Sequence, residues 1–127
     1  MAAEQGGADA VSAINTVVGM GINISTRKPH LSTIYGGLSG PAIKPIAVAC
    51  VNKIYSKLSI PIIGVGGIAN CEDVVEFILA GADLVEIGTM NYQNPSIGVK
   101  IKNDLIEYCN QHNITNIQQL KGQMVVE

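Results

Sequence analysis

Charge is what this sequence has least of. Asp, Glu, Lys and Arg together supply 14% of its 127 residues, against the roughly 25% usual in globular domains, while 47% of the chain is apolar. That combination excludes a charged disordered tail and a coiled-coil rod. It also leaves little to solvate the outside of a free-standing small domain, so part of the surface is expected to be covered by something else. Aromatic residues are scarce as well, with no Trp and a single Phe, and the net charge is −2; the footprint of a nucleic-acid binder is missing. No apolar run approaches the ~20 residues of a bilayer span. Met1 to Asp9 has neither the basic nor the apolar region of a signal peptide, and the expectation is a cytoplasmic protein without a membrane partner. Cys50, Cys71 and Cys109 are an odd number with no CxxC spacing and no paired His, which argues against a disulfide framework and against a metal site.

What is present is an alternation of strands and helices. Ala10–Ile14 and Leu84–Ile87 read as strands, and each follows the same Gly-Ala-Asp tripeptide, at Gly7–Asp9 and Gly81–Asp83. The Gly suits the left-handed position that ends a helix, and the Asp precedes a buried strand. Ile60–Val65 is a third strand between them. Ile43, Ile46, Ala47, Cys50, Val51, Ile54 and Leu58 share one helix face, and Pro41 fits the first helical position, so the spacing predicts a helix over 41–57. A second helix is expected from the N-cap Asn70, with Val74, Phe77 and Ile78 inward, to just before Gly81. A third opens at Asn94-Pro95 and keeps Ile97, Ile101, Leu105 and Tyr108 on one side; a short fourth is marked by the Thr115-x-x-Gln118 capping-box spelling and closes near Gly122. Each strand returns through a helix, which implies a parallel sheet. The stretch Asn15–Gly40, about 26 residues without strong periodicity, reads as a long functional loop.

The polar and glycine signals fall at one edge of that sheet. Asn15-Thr16, Gly66-Gly67 and Gly88-Thr89 each follow a strand, and the C-terminal edge of a parallel sheet is where ligands bind. Glycines there let a phosphate approach backbone N–H groups closely, although either pair alone equally serves a tight turn. Asn15 and Thr16 offer an amide and a hydroxyl suited to a planar ligand bearing carbonyl, N–H and carboxylate groups. Cys71, near a helix start, reads as a structural thiol rather than a nucleophile of lowered pKa. Arg27, Lys28 and His30 read as a solvated loop face.

The run Gly36-Gly37-Leu38-Ser39-Gly40-Pro41-Ala42-Ile43-Lys44-Pro45 closely resembles the catalytic subunit of class 1B dihydroorotate dehydrogenases. So do Ile14-Asn15-Thr16, Thr26-Arg27-Lys28-Pro29, Pro61–Ile68, and Ala80-Gly81-Ala82 leading to Gly88-Thr89. The resemblance runs from about Ala8 to Gly122. It implies an α/β fold, the C-terminal portion of a (β/α)₈ TIM barrel, with about three βα units in one incomplete FMN-binding domain over 1–127. It further implies oxidation of dihydroorotate to orotate in pyrimidine biosynthesis, with Asn15 and Thr16 on the substrate and Ile14, Gly40, Gly66, Gly67, Gly88 and Thr89 on FMN. An electron-transfer subunit with FAD and a 2Fe-2S cluster, passing electrons to NAD, and a homo-oligomer of the full-length protein are the implied partners. The family's base, a cysteine ahead of this region, has no counterpart here, so no catalytic residue is expected in this chain, and the isolated chain is expected to be inactive. Two other readings compete: another FMN barrel, such as the pyrimidine-reducing domain of dihydropyrimidine dehydrogenase, and an inactive fragment.

Overall fold

The structure is a computed structural model that describes residues 1–126. A short helix α1 (Ala2–Gln5) leads through Gly7, which takes a positive φ of 88°, into strand β1 (Val11–Ala13). The chain then rises into an arm of two antiparallel ribbons. Strand β2 (Val17–Gly19) anticipates its later partner across the arm, and β3 (Ile22–Asn23) pairs with β4 (Lys28–Pro29) at the tip. The arm closes when β5 (Gly36–Leu38) returns against β2. The stretch read as a long loop is therefore two stacked antiparallel ribbons. Strands of two or three residues give too few alternations for a period of two to show in sequence.

A 3₁₀ turn (Pro41–Ile43) runs directly into α2 (Lys44–Tyr55), so the expected helix over 41–57 begins in tighter form, with Pro41 in its opening turn. Next come β6 (Ile62–Val65), α3 (Cys71–Leu79), β7 (Leu84–Glu86), a four-residue α4 (Met90–Gln93) and α5 (Ile97–Gln111). The last element is a 3₁₀ turn over Ile117–Leu120. Its cap is Asn116, whose side chain accepts from the Gln118 N–H at 3.0 Å, one residue beyond the Thr115 expected from the motif. The start of α5 likewise lies at Ser96, whose N–H is accepted by Asn94 Oδ1 at 3.0 Å.

The three expected strands form one parallel sheet in the order β1-β6-β7, with Val11 beside Ile62 and Gly64 beside Val85. The strands are joined through helices in the βα manner: this is a partial β/α barrel, three of the eight units such a barrel carries. Its core lies between sheet and helices, where Phe77, Ile62, Val51 and Ala47 are almost completely buried. Gly64 makes room for the Phe77 ring, because a Cβ there would stand 2.5 Å from its Cδ1. Gly81, at φ 117°, ends α3 in the left-handed manner the tripeptide implied.

Register decides which strand residues face the barrel interior. Val11 and Val85 stand with Ile62 and Gly64 on the helix-covered side, and both pack against the core. Ser12, Ile63 and Leu84 form the opposite face, and Leu84 is 62% exposed there. A shift of one residue in a strand exchanges its faces, and three-residue strands gave no pattern to decide between them. No helix among the described residues is long and apolar enough to cross a membrane.

Candidate functional site at the C-terminal edge of the sheet

The ends of β1, β6 and β7 open onto a single cavity of about 120 Å³. Its lining includes Ile14, Thr16, Gly40, Gly66, Gly67, Gly88 and Thr89, together with Ser39, Ile43, Val65, Ile68 and Met90. The Ile14 N–H donates to the Val65 carbonyl at 2.8 Å, which draws the end of β1 onto the end of β6. Gly40 joins them from the arm's return, where it is buried and accepts the Ile43 N–H at 3.1 Å. Asn15 stands apart. It is exposed, lies outside the cavity lining, and its Oδ1 accepts the Thr16 N–H at 2.7 Å. Arg27, Lys28 and His30 are exposed at the arm's tip and do not line the cavity.

The glycines in this lining do different things. At Gly67, φ is 79°, and a Cβ would meet the Gly40 carbonyl and the Lys44 backbone nitrogen, each at 2.8 Å. At Gly66 a Cβ would meet Ala47 Cβ at 2.9 Å. These two glycines let the loop after β6 lie flat on the start of α2, so a branched side chain at 67 would displace backbone rather than only fill a ligand cradle. Gly88 is the opposite case: a Cβ there meets nothing within 4 Å. It borders open space, and space is what a ligand needs.

No Asp, Glu, Lys or Arg appears in the lining. An anion in the cavity would meet no repelling carboxylate, and it would be held by backbone N–H groups and hydroxyls rather than by a side-chain cation. At about 120 Å³, the cavity has room for a phosphate group.

Behind the cavity floor lies an ion network that the sequence reading missed. Asp73 is buried, and its Oδ1 accepts from Lys44 Nζ at 2.7 Å while Oδ2 accepts the Ala69 and Asn70 N–H groups at 2.8 and 3.2 Å. Asn70 Oδ1 in turn accepts the Asp73 N–H at 2.8 Å, completing a capping box. Lys44 also donates to Glu76 Oε2 at 2.6 Å. The hydrogen bonds to Asp73 and then Glu76 raise the Lys44 pKa above 10.5. The spelling Asp73-x-x-Glu76 puts both acids on one face of α3 and was the available signal, with Lys44 as the one charge in the first turn of α2.

Cys71 is no nucleophile. It is buried, and burial first, then Glu72, Asp104 and Cys109, push its thiol pKa above 9.0, so it stays protonated near neutral pH.

A partial parallel barrel with a glycine-lined cavity at its C-terminal edge defines a class of ligand-binding β/α proteins, and comparison with known proteins narrows it. The sequence model of the family described as Dihydroorotate dehydrogenase matches residues 1–109. The chain belongs to the dihydroorotate dehydrogenase family. It is 48% identical over 126 residues to the dihydroorotate dehydrogenase B (NAD(+)) catalytic subunit of Parabacteroides distasonis, covering 99% of this chain and 41% of the relative. To the same subunit of Caldicellulosiruptor bescii it is 50% identical over 122 residues, 96% of this chain and 41% of the relative. The crystal structure of the Eimeria tenella enzyme in complex with ferulenol superimposes with a TM-score of 0.76 at 29% identity, over 95% of this chain and 32% of that one. The chain thus spans about 41% of the length of these curated relatives.

Two predictions follow from the site's geometry. The host for the first is a completed barrel, in which this chain replaces the matched part of the Parabacteroides distasonis relative. There, Gly88→Val is expected to leave circular dichroism and solubility unchanged while lowering affinity for a bound phosphate ligand at least tenfold, whereas Gly67→Val is expected to lower the melting temperature. Isothermal titration with FMN, beside a thermal melt, separates the two; equal affinity in Gly88→Val would mean the open space is not used. The second concerns pH. Lys44 and Cys71 both have folded pKa values raised above their unfolded values of 10.5 and 9.0, so the stability each contributes is complete below its unfolded value and is lost as pH rises through the folded one. Urea midpoints are expected to fall from about pH 9 upward, first through Cys71 and then through Lys44, and Cys71→Ala is expected to remove the earlier part of the decline.

Proposed function

We propose that this chain is the flavin-phosphate-binding part of an FMN-dependent dihydroorotate dehydrogenase that oxidises dihydroorotate to orotate. All its residues belong in this reading to one barrel domain. The observation that carries the proposal is the charge-free, glycine-lined cavity at the strand ends, open beyond Gly88 and sized for a phosphate. Gly40, Gly66, Gly67 and Gly88 would present backbone to the phosphate, Thr89 its hydroxyl, and Ile14 an apolar contact. The family supports FMN as the group held there; when bound, it supplies the acceptor for a hydride leaving the substrate.

Each remaining task falls to this chain's own side chains or lies outside it. Thr16, which lines the cavity, and the exposed Asn15 next to it in the chain would orient the substrate through a hydroxyl and an amide, so that one C–H bond is held in a reactive direction. Holding that geometry contributes to rate only if the side chains are themselves fixed. The Asn15 Oδ1 to Thr16 N–H bond does this for the amide, keeping its NH₂ group as the available donor. The proton removed from the neighbouring carbon goes to a base outside this chain: Cys71 is buried and protonated, and Cys50 and Cys109 do not line the cavity.

The printed names of the relatives, NAD(+)-linked catalytic subunits, support a further part of the proposal. Electrons would leave through a separate subunit carrying FAD and a 2Fe-2S cluster toward NAD, and the complete barrel would form a homo-oligomer.

In the completed barrel, Asn15→Ala is expected to retain bound flavin by its visible absorbance and to lose dihydroorotate oxidation by on the order of a hundredfold. Orotate formation followed by its ultraviolet absorbance is the measurement. Turnover at the parent rate would sink the substrate assignment.

A further inference from the structure

Gly37 stands in the middle of β5, opposite Val18 of β2, and its φ lies outside the left-handed region that favours glycine. Its own backbone would therefore accept a side chain. A glycine inside a strand weakens it and marks a place where another group approaches closely. The three atoms nearest to where a Cβ would stand all belong to Thr16: Oγ1, Cβ at 2.6 Å and Cγ2 at 3.1 Å. Thr16 lies two residues ahead of Val18, diagonally across the ribbon from Gly37. Rotation about χ1 could carry Oγ1 and Cγ2 away from a side chain at 37. The Cβ of Thr16 is fixed by its own backbone, so a Cβ at 37 would displace residue 16 as a whole.

We propose that Gly37 is a positioning residue for the reaction: it supplies the flat surface against which the Thr16 side chain rests, and so fixes the direction of the hydroxyl that faces the substrate. The inference rests on the assignment of the substrate to Asn15 and Thr16 made above. Hydrogen bonding holds that hydroxyl only weakly. Its bond to Asn15 Oδ1 is long, 3.4 Å, and the same Oδ1 already accepts the Thr16 N–H at 2.7 Å. Packing is left to hold it. A β-branched side chain has few χ1 states, and a strand lying close against it removes those that point toward the strand. The same strand continues through Ser39 and Gly40 into the cavity lining. One short run of backbone therefore locates both the Thr16 hydroxyl and the glycine assigned to the phosphate, and a displacement at Gly37 would alter the first without touching the second. Gly19, in the facing strand of the same ribbon, is a different case: a Cβ there would meet Leu38 Cβ at 3.7 Å and the Gly36 carbonyl at 3.8 Å, which are ordinary contacts.

The test uses the completed barrel, in which this chain replaces the matched part of the Parabacteroides distasonis relative. Gly37→Ala is compared with the parent, with Gly19→Ala, and with Thr16→Gly alone and combined with Gly37→Ala. Gly37→Ala is expected to raise the KM for dihydroorotate on the order of fivefold or more, with FMN affinity unchanged, while Gly19→Ala behaves as the parent does. A purely structural defect lowers the competent fraction, and so lowers kcat at constant KM; that result would overturn the proposal. In the Thr16→Gly background a Cβ at 37 has nothing left to displace, and adding Gly37→Ala is expected to change KM by less than about twofold. A further rise as large as the first would show that Gly37 acts elsewhere. The contact itself is read by nuclear magnetic resonance of the barrel labelled at its threonine methyls. The Thr16 resonance, assigned by its loss in Thr16→Gly, is expected to move in Gly37→Ala and to stay in place in Gly19→Ala; an unmoved resonance in Gly37→Ala would overturn the proposal whatever the kinetics. A parent barrel that oxidises no dihydroorotate would contradict the proposed function instead, and the methyl resonance then decides by itself whether Gly37 sets the Thr16 side chain.

Discussion

A buried carboxylate organises the end of this sheet. Asp73 spends both oxygens at once, one on Lys44 from the neighbouring helix and the other on two successive N–H groups of the loop that leaves β6. A charge this deep is tolerated only when it is fully hydrogen-bonded, and satisfying it fixes three elements together: the start of α2, the start of α3, and the loop from Gly66 to Asn70. The flat path of that loop depends in turn on Gly66 and Gly67, which admit α2 to within contact of the backbone. The cavity is the space left above this assembly. The groups below its floor are hydrogen-bonded to one another, and Gly88 borders open space.

The same arrangement divides labour between the two sides of the sheet. On the helix side, Phe77, Val51, Ile62 and Ala82 are buried, and the C-terminal segment is tied down where Lys121 meets Asp83 at 2.5 Å and the Gln118 side chain donates to the Asp83 carbonyl at 2.8 Å. The interior side is not finished. Ser12 and Leu84 stand in solvent, and both outer strands have free edges. A closed barrel has no edges, and its interior is filled by layers of side chains from alternate strands.

Sequence patterns revealed what repeats and concealed what does not. The three strands, α2, α3 and α5 were legible because apolar spacing and Gly-Ala-Asp stops extend over enough residues to be read, and their order alone implied the parallel sheet. The position of Gly66-Gly67 and Gly88-Thr89 after strands made the cavity's edge legible too. The arm was not, since its ribbons are two or three residues long and their pairing is set by contacts across the arm. The direction of each strand's faces was hidden for the same reason. Nor could sequence separate Gly67, which is needed for packing, from Gly88, which borders open space; the two look alike as letters and differ only in what a Cβ would touch. The Lys44 to Asp73 pair joins residues 29 apart, beyond the reach of any local motif.

The central claim is that the cavity between the ends of β1, β6 and β7 holds the phosphate of a flavin. The crystal structure of the completed barrel, grown with FMN, tests it most directly. The account predicts electron density for the phosphate inside the cavity, with backbone N–H groups from the loops after β6 and β7 within about 3 Å of its oxygens. A well-folded barrel whose flavin phosphate lies elsewhere, or whose cavity holds only water beside a bound flavin, would contradict it.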